Sequence, residues 1–129
     1  MAARIKSSSA GRELVFSDAQ WTRDELSAFT ASICTEAMRA STEVYVYGGR
    51  SPLELFEGMA HEWRGWQGSK EWASLEGELT LSAIHNGLGT ITLQARLAHL
   101  DWDARADLEL DAGSHLESAV KTLRSFFSP

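Results

Sequence analysis

The segment from Trp102 to Asp111 constrains the fold more than any other, because its ten residues alternate between apolar and charged side chains. One face carries the apolar residues Trp102, Ala104, Ala106, Leu108 and Leu110, and the other carries Asp103, Arg105, Asp107, Glu109 and Asp111. Successive side chains of a β-strand point to opposite faces of the sheet. We therefore predict a strand of an antiparallel sheet whose charged face meets water or a partner.

Two further alternating segments precede this strand, from Leu79 to Ala83 and from Ile91 to Leu97. A two-residue Asn-Gly turn between them would set leucines against threonines. A three-residue loop of His85, Asn86 and Gly87 would instead set Leu81 opposite Ile91 and Leu79 opposite Leu93, which keeps one apolar face. We predict this loop, within a three-strand meander over 75–111.

Two helices are predicted from capping patterns and helical periodicity, over about 52–66 and 114–127. Ser51, Pro52 and Glu54 have the spacing of a capping box with proline at the first helical position, and Ser114 and Glu117 repeat the spacing. In the first helix the apolar arc holds Leu55, Phe56, Met59, Ala60, Trp63 and Trp66. We expect Trp63 to be buried at a corner of the core, and Trp66 to lie at the edge of the arc beside Glu62.

The N-terminal half is rich in strand patterns, but the span 22–41 is ambiguous. Thr22 to Glu25 has the form of a capping box, and Leu26, Phe29 and Ile33 have helical spacing, yet Phe29, Ala31 and Ile33 also alternate. Strands near 27–33 and 40–47 are favoured, with helix as the alternative.

These segments together predict an α+β fold. An antiparallel sheet of about six to seven strands is packed by two helices, and the 129 residues form a single domain, 1–129. The one cysteine, Cys34, has no partner for an internal disulfide, and no apolar run is long enough to span a membrane. We expect a cytoplasmic protein with no membrane contact.

The charge distribution favours a basic partner over a nucleic acid. The net charge is −6, and residues 51–111 hold eleven acidic against four basic residues, a local balance of −7. Nucleic-acid binding needs clustered lysine and arginine. The alternative interpretation is a solvated surface that provides solubility.

No motif in the sequence indicates catalysis, a cofactor or a metal. His61 and Glu62 begin a zinc-protease pattern, but glycine occupies position 65, where the second histidine is needed. Asp101 and Asp103 begin a calcium-loop pattern without its glycine. We therefore expect a non-enzymatic protein without cofactors.

The run RGWQG at 64–68, the run WASLEG at 72–77 and the run HNGLG at 85–89 resemble an uncharacterised family of small actinobacterial proteins with the pattern RGWxG, WxSLEG and HxGxG. No activity is assigned to that family, so this resemblance implies an architecture only. The order of elements, with Asp18, Ala19 and Trp21 in an Asp-Ala-Xaa-Trp stretch, is similar to the WapI-type immunity proteins of bacterial toxin systems.

The sequence therefore favours an immunity-like protein that neutralises or docks onto another protein, possibly a basic toxin domain. The predicted contact residues are Asp103, Arg105, Asp107, Glu109, Asp111, Trp66 and Glu62. The alternative is a small-ligand or peptide-binding module with a groove lined by Trp66, Trp72, Tyr45 and Tyr47. Self-association into a homo-oligomer is compatible with both.

Overall fold

A computed structural model describes residues 1–9 and 11–129 of the chain. In chain order the elements are β1 (Ala2–Lys6), β2 (Glu13–Thr22), β3 (Glu25–Cys34), β4 (Arg39–Tyr45), α1 (Leu53–His61), β5 (Ser69–Ala73), β6 (Leu79–His85), β7 (Thr90–His99), β8 (Trp102–Asp111) and α2 (Ser114–Phe126). Each helix follows a block of four strands.

The α+β class is confirmed, but the single sheet of six to seven strands is wrong. The strands form two four-stranded antiparallel sheets, β1-β2-β3-β4 and β5-β6-β7-β8. Buried residues of both sheets and both helices belong to one hydrophobic cluster. Strands β4 and β5, which flank α1 in the sequence, are edge strands of different sheets. No helix in the described residues is long and apolar enough to cross a membrane.

The predicted strands near 27–33 and 40–47 are confirmed as β3 and β4, and the helical alternative for 22–41 is wrong. Phe29, Ala31 and Ile33 are all fully buried, so the period-two pattern is the one that fills the core. The residues read as a capping box form the turn between β2 and β3, where Arg23 has a positive φ of 61°.

Helix α1 ends at His61, five residues before its predicted end at Trp66. The chain leaves the helical conformation at Glu62, and Gly65 has a φ of 138°, which a helix cannot contain. The capping box is also wrong: no side chain caps this helix, and the backbone oxygen of Ser51 accepts the N–H of Glu54. The apolar arc therefore stops before Trp63.

Helix α2 matches its prediction within one residue at the C-terminal end, but its predicted cap is wrong. Ser114 is the first helical residue, and Gly113 occupies the cap position without a side-chain cap bond. The Gly113 N–H donates to Asp111 Oδ1 at 3.1 Å, so the turn is held by the end of β8. The buried face of the helix consists of Leu116, Ala119, Val120, Leu123 and Phe126.

The apolar face of the meander is confirmed, whereas the register of its first hairpin is wrong. Leu81 pairs with Ala95 and Ala83 pairs with Leu93, because the four residues Asn86–Gly89 connect the strands. Asn86 Oδ1 accepts the N–H groups of Leu88 at 2.7 Å and Thr90 at 3.1 Å. Gly89 adds a second left-handed residue, with φ of 95°. The loop therefore has four residues instead of the predicted three, and His85 belongs to β6.

Candidate protein-binding surfaces

The charged row of β8 lies on the outer face of the second sheet, as the alternation predicts. All five of its side chains are exposed, while Ala104, Leu108 and Leu110 are buried on the opposite face. The register aligns this row with outward residues of β7, including Gln94 opposite Asp107 and Thr92 opposite Glu109. The result is a polar face with four carboxylates and one guanidinium on its edge strand.

Several groups of the row are already engaged within the molecule. Arg96 forms a 3.1 Å ion pair with Asp103, and Asp111 accepts the backbone N–H of Gly113. Gln94 donates a long bond of 3.4 Å to Asp107, and no described side chain bonds the carboxylate of Glu109. Asp107 and Glu109 are therefore the two carboxylates of the row with the most free acceptor capacity.

The backbone edge of β8 is not open along the acidic part of the strand. The Ser8 N–H donates to the Glu109 oxygen at 2.7 Å, and the Glu109 N–H donates to Ser7 Oγ at 2.9 Å. Arg12 donates to the Asp107 oxygen at 2.8 Å. These contacts occupy both backbone groups of Glu109 and the oxygen of Asp107, so another strand cannot pair with this part of the edge.

Trp66 and Glu62 lie apart from the β8 row. The indole N–H of Trp66 donates to the backbone oxygen of Ala83 in β6 at 3.1 Å, and β7 lies between β6 and β8. Glu62 forms an ion pair with Lys70, whose ammonium also lies 5.3 Å from the centre of the Trp66 ring. The hydrogen bond from Lys70 lowers the pKa of Glu62. The seven predicted contact residues thus occupy two separate surfaces.

Contacts around His85 connect the run RGWQG at 64–68 with the run HNGLG at 85–89. His85 is buried, and its Nε2 lies 2.9 Å from the backbone oxygen of Trp63. Its Nδ1 accepts the N–H of Gly87 at 2.9 Å, so the hydrogen-bond network places the ring proton on Nε2. The Trp66 ring packs edge-on against the imidazole with centroids 5.2 Å apart. The RGWQG and HNGLG runs therefore meet in a structural contact.

Of the three clustered tryptophans, only Trp63 departs from the environment that the sequence predicts. Trp63, expected to be buried, is 50% exposed, while Trp72 is 8% exposed and donates its indole N–H to the Arg50 oxygen at 3.2 Å. Trp66, expected at the edge, is half-buried. The error follows from the early end of α1, because helical spacing places Trp63 correctly only while the helix continues.

A cleft of about 600 Å³ lies between β5 and the segment that leads into α1. Its apolar lining includes Val46, Leu55 and Trp72, and Arg50, Glu54, Lys70 and Glu71 also line it. Of the four aromatic residues in the alternative prediction, Trp72 alone belongs to this lining. Tyr45 and Tyr47 stack on each other instead, with ring centroids 5.5 Å apart.

Glu78 joins the two sheets near this cleft, a role that no local pattern indicates. Its carboxylate accepts the Tyr45 backbone N–H at 3.1 Å and the Ser74 hydroxyl at 2.6 Å. Burial opposes ionisation of Glu78, but the hydrogen bonds from Ser74 and from backbone N–H groups, including that of Tyr45, outweigh burial and lower its pKa. A carboxylate that accepts several N–H and O–H bonds is a strong link in its charged form.

The described residues contain no group of three or more histidine, cysteine or acidic side chains placed to hold a metal ion. In comparisons with known proteins, no curated protein and no solved structure matches the chain. The model of one family, described as a family of unknown function, matches residues 5–129. The chain therefore belongs to DUF6228, a family of unknown function.

Proposed function

We propose that this protein is a non-enzymatic binding protein that docks a basic partner protein on the charged row of β8. The observation that carries the proposal is the exposure of all five side chains of the row: Asp103, Arg105, Asp107, Glu109 and Asp111. Asp107 and Glu109 retain free acceptor capacity at the centre of the row, and the strand is held rigidly by its neighbours. Because the strand backbone is already ordered, binding costs little backbone entropy.

Charge complementarity gives this surface its selectivity. The −7 balance of residues 51–111 attracts a basic protein at long range and raises its association rate. Arg105 lies between Asp103 and Asp107 in the row, so the acidic side chains of Asp107, Glu109 and Asp111 all lie on one side of this positive group. A partner with a matching acidic group would dock in one register only, because a reversed orientation places like charges together.

An immunity role is the specific form of this proposal, in which the partner is a basic toxin domain that the bound protein blocks. The similarity in element order to WapI-type immunity proteins supports it, as does the small acidic chain. An immunity protein needs no cofactor, because it acts by covering the partner's surface. Trp66 and Glu62, on the separate surface near β6, are proposed as peripheral contacts.

The test mixes the purified protein with the product of a neighbouring toxin-like gene and measures both binding and protection from toxicity. The charge-reversed double variant Asp107→Lys and Glu109→Lys is expected to bind at least about tenfold more weakly, roughly 1.4 kcal/mol. Binding should also weaken as salt is raised.

The matched control reverses two exposed acidic residues away from the row, Asp24→Lys and Glu76→Lys, and so makes the same change in net charge. It is expected to keep most of the affinity. Equal losses in the two double variants would show a nonspecific charge effect, and no binding together with no protection would overturn the proposal.

A second candidate function is binding of a small molecule in the cleft beside β5. The observation in its favour is the cleft volume of about 600 Å³, which is within the range of ligand pockets, with Trp72 in its wall. A panel of metabolites is tested by tryptophan fluorescence. A ligand in the cleft should change the fluorescence emission of the native protein but not that of the Trp72→Phe variant. Native emission that no compound of the panel changes would count against this candidate.

A further inference from the structure

The exposed edges of the two sheets differ in how their backbone groups are used. At β8, Ser7, Ser8 and Arg12 hydrogen-bond the backbone of Glu109 and Asp107. At β4, one of the two edge strands of the first sheet, the N–H of its last residue, Tyr45, donates to the carboxylate of Glu78. Proteins commonly block sheet edges in this way, since an open edge pairs with other chains.

The outer edge of β5 has no such protection in the described chain. The Ser74 N–H donates to the Leu79 oxygen at 3.0 Å, which makes 74 and 79 a hydrogen-bonded pair in the register that sets Trp72 opposite Leu81. Hydrogen-bonded and non-bonded pairs alternate along an antiparallel ladder. The N–H and C=O groups of Glu71 and Ala73 therefore point away from β6, and no described residue bonds them.

The cleft of about 600 Å³ lies directly along this edge. Its inner side offers the apolar surface of Leu55 and Trp72, whereas the side chain of Glu71 is exposed on the outer side. Each of the two cations at the cleft has an acidic partner, Arg50 in Glu54 at 3.3 Å and Lys70 in Glu62. Glu71 forms no ion pair with any described residue, so the edge has one free negative charge.

We propose that the β5 edge binds an extended segment of a partner protein, which adds to the second sheet as a fifth strand. Main-chain groups of Glu71 and Ala73 would bond alternate residues of that segment, as in other cases of strand addition. Side chains of an added strand alternate between the two faces of the sheet. The segment therefore alternates apolar residues, which enter the cleft over Trp72, with basic residues, which lie beside Glu71.

This inference gives the cleft of the second candidate function a peptide occupant, and it does not depend on the β8 row. It is tested with a short blocked peptide that alternates lysine and valine, followed by amide NMR and hydrogen exchange on the full chain. Slowed exchange and shifted resonances of the Glu71 and Ala73 N–H groups are expected. A peptide that alternates glutamate and valine should bind at least about tenfold more weakly.

The decisive variant is Ala73→Pro, which removes an edge N–H that the β5–β6 ladder does not use. It should lower peptide affinity about tenfold, while Ala73→Val, which keeps the N–H, retains it. N-methylation of the peptide amides that face β5 should abolish binding to the unaltered protein. This experiment does not depend on whether the proline variant folds.

Three results would overturn the proposal. The first is an absence of binding, and the second is protection confined to amides outside β5. The third is a dimer of the peptide-free protein that Ala73→Pro dissociates, which would assign the edge to a second copy of this chain. Failure of the small-molecule panel would leave the amide readout intact, so the two outcomes are distinguishable.

Discussion

The imidazole of His85 in β6 is bonded to the backbone of Trp63, with 2.9 Å between Nε2 and the Trp63 oxygen. The second ring nitrogen accepts the N–H of Gly87 at 2.9 Å, so one side chain fixes both the turn after α1 and the loop after β6. Both ring nitrogens are satisfied within the protein, which accounts for a buried histidine without assigning it to catalysis.

Substitution of His85 by alanine removes both bonds and the contact with Trp66. We expect a loss of about 2–4 kcal/mol in the free energy of unfolding, since buried backbone groups lose their partners and a cavity forms. Urea denaturation measures the loss. His61→Ala is the control, because His61 is exposed at the end of α1 and should change stability by less than about 0.5 kcal/mol. Similar losses for the two variants would contradict the structural role of His85.

The tryptophans should rank by their burial. Trp72→Ala is expected to cost about 3–5 kcal/mol, because this 8% exposed side chain packs in the core and bonds the Arg50 oxygen. Trp63→Ala should cost less than about 1 kcal/mol, because half of the side chain is in solvent and its backbone oxygen remains available to His85. Chemical denaturation of both variants measures the two losses. A larger loss for Trp63→Ala than for Trp72→Ala would indicate that Trp63 is buried after all.

The sequence predicts the parts of this fold that depend on local alternation and misses those that depend on remote contacts. The β8 pattern and the strands β3 and β4 follow from period-two burial. The early end of α1 cannot be predicted in this way. Trp63 and Trp66 continue the helical spacing, whereas the groups that they bond lie in β6. Local patterns also do not encode which strands pair, so the sequence predicts one sheet where the structure has two.

The same limit applies to the candidate surfaces. The exposed carboxylates of β8 are predictable because the strand itself defines their face. To predict the cleft along β5, one must know that α1 lies beside that strand, and the periodicity of the sequence does not give this information. The protection of β8 by Ser7, Ser8 and Arg12 joins distant parts of the chain.

Two glycines should respond in opposite directions to alanine. Gly65 has a φ of 138°, and a Cβ there would lie 3.4 Å from His85 Nδ1, so Gly65→Ala should cost about 1–3 kcal/mol. Gly58 lies within α1, and an added Cβ meets no atom within 4 Å. Gly58→Ala should therefore stabilise the protein by about 0.5–1 kcal/mol. Thermal and urea unfolding measure both changes, and a neutral Gly65→Ala would show that the turn relaxes without strain.

The link that Glu78 makes between the sheets should depend on pH. Because the folded state lowers the pKa of Glu78, the ionised carboxylate stabilises the fold above the ordinary value of 4.5, and this stabilisation is lost as pH falls through the lower folded-state pKa. Glu78→Gln removes the charge and should cost about 1–2 kcal/mol at neutral pH. The difference in stability between native protein and variant should shrink below about pH 4.5, as followed by urea denaturation across a pH series.

The control is Glu76→Gln at a neighbouring exposed residue, for which we expect little change in stability at neutral or acidic pH. A gap for Glu78→Gln that stays constant down to the acid limit of folding would show that the carboxylate's charge does not hold the two sheets together.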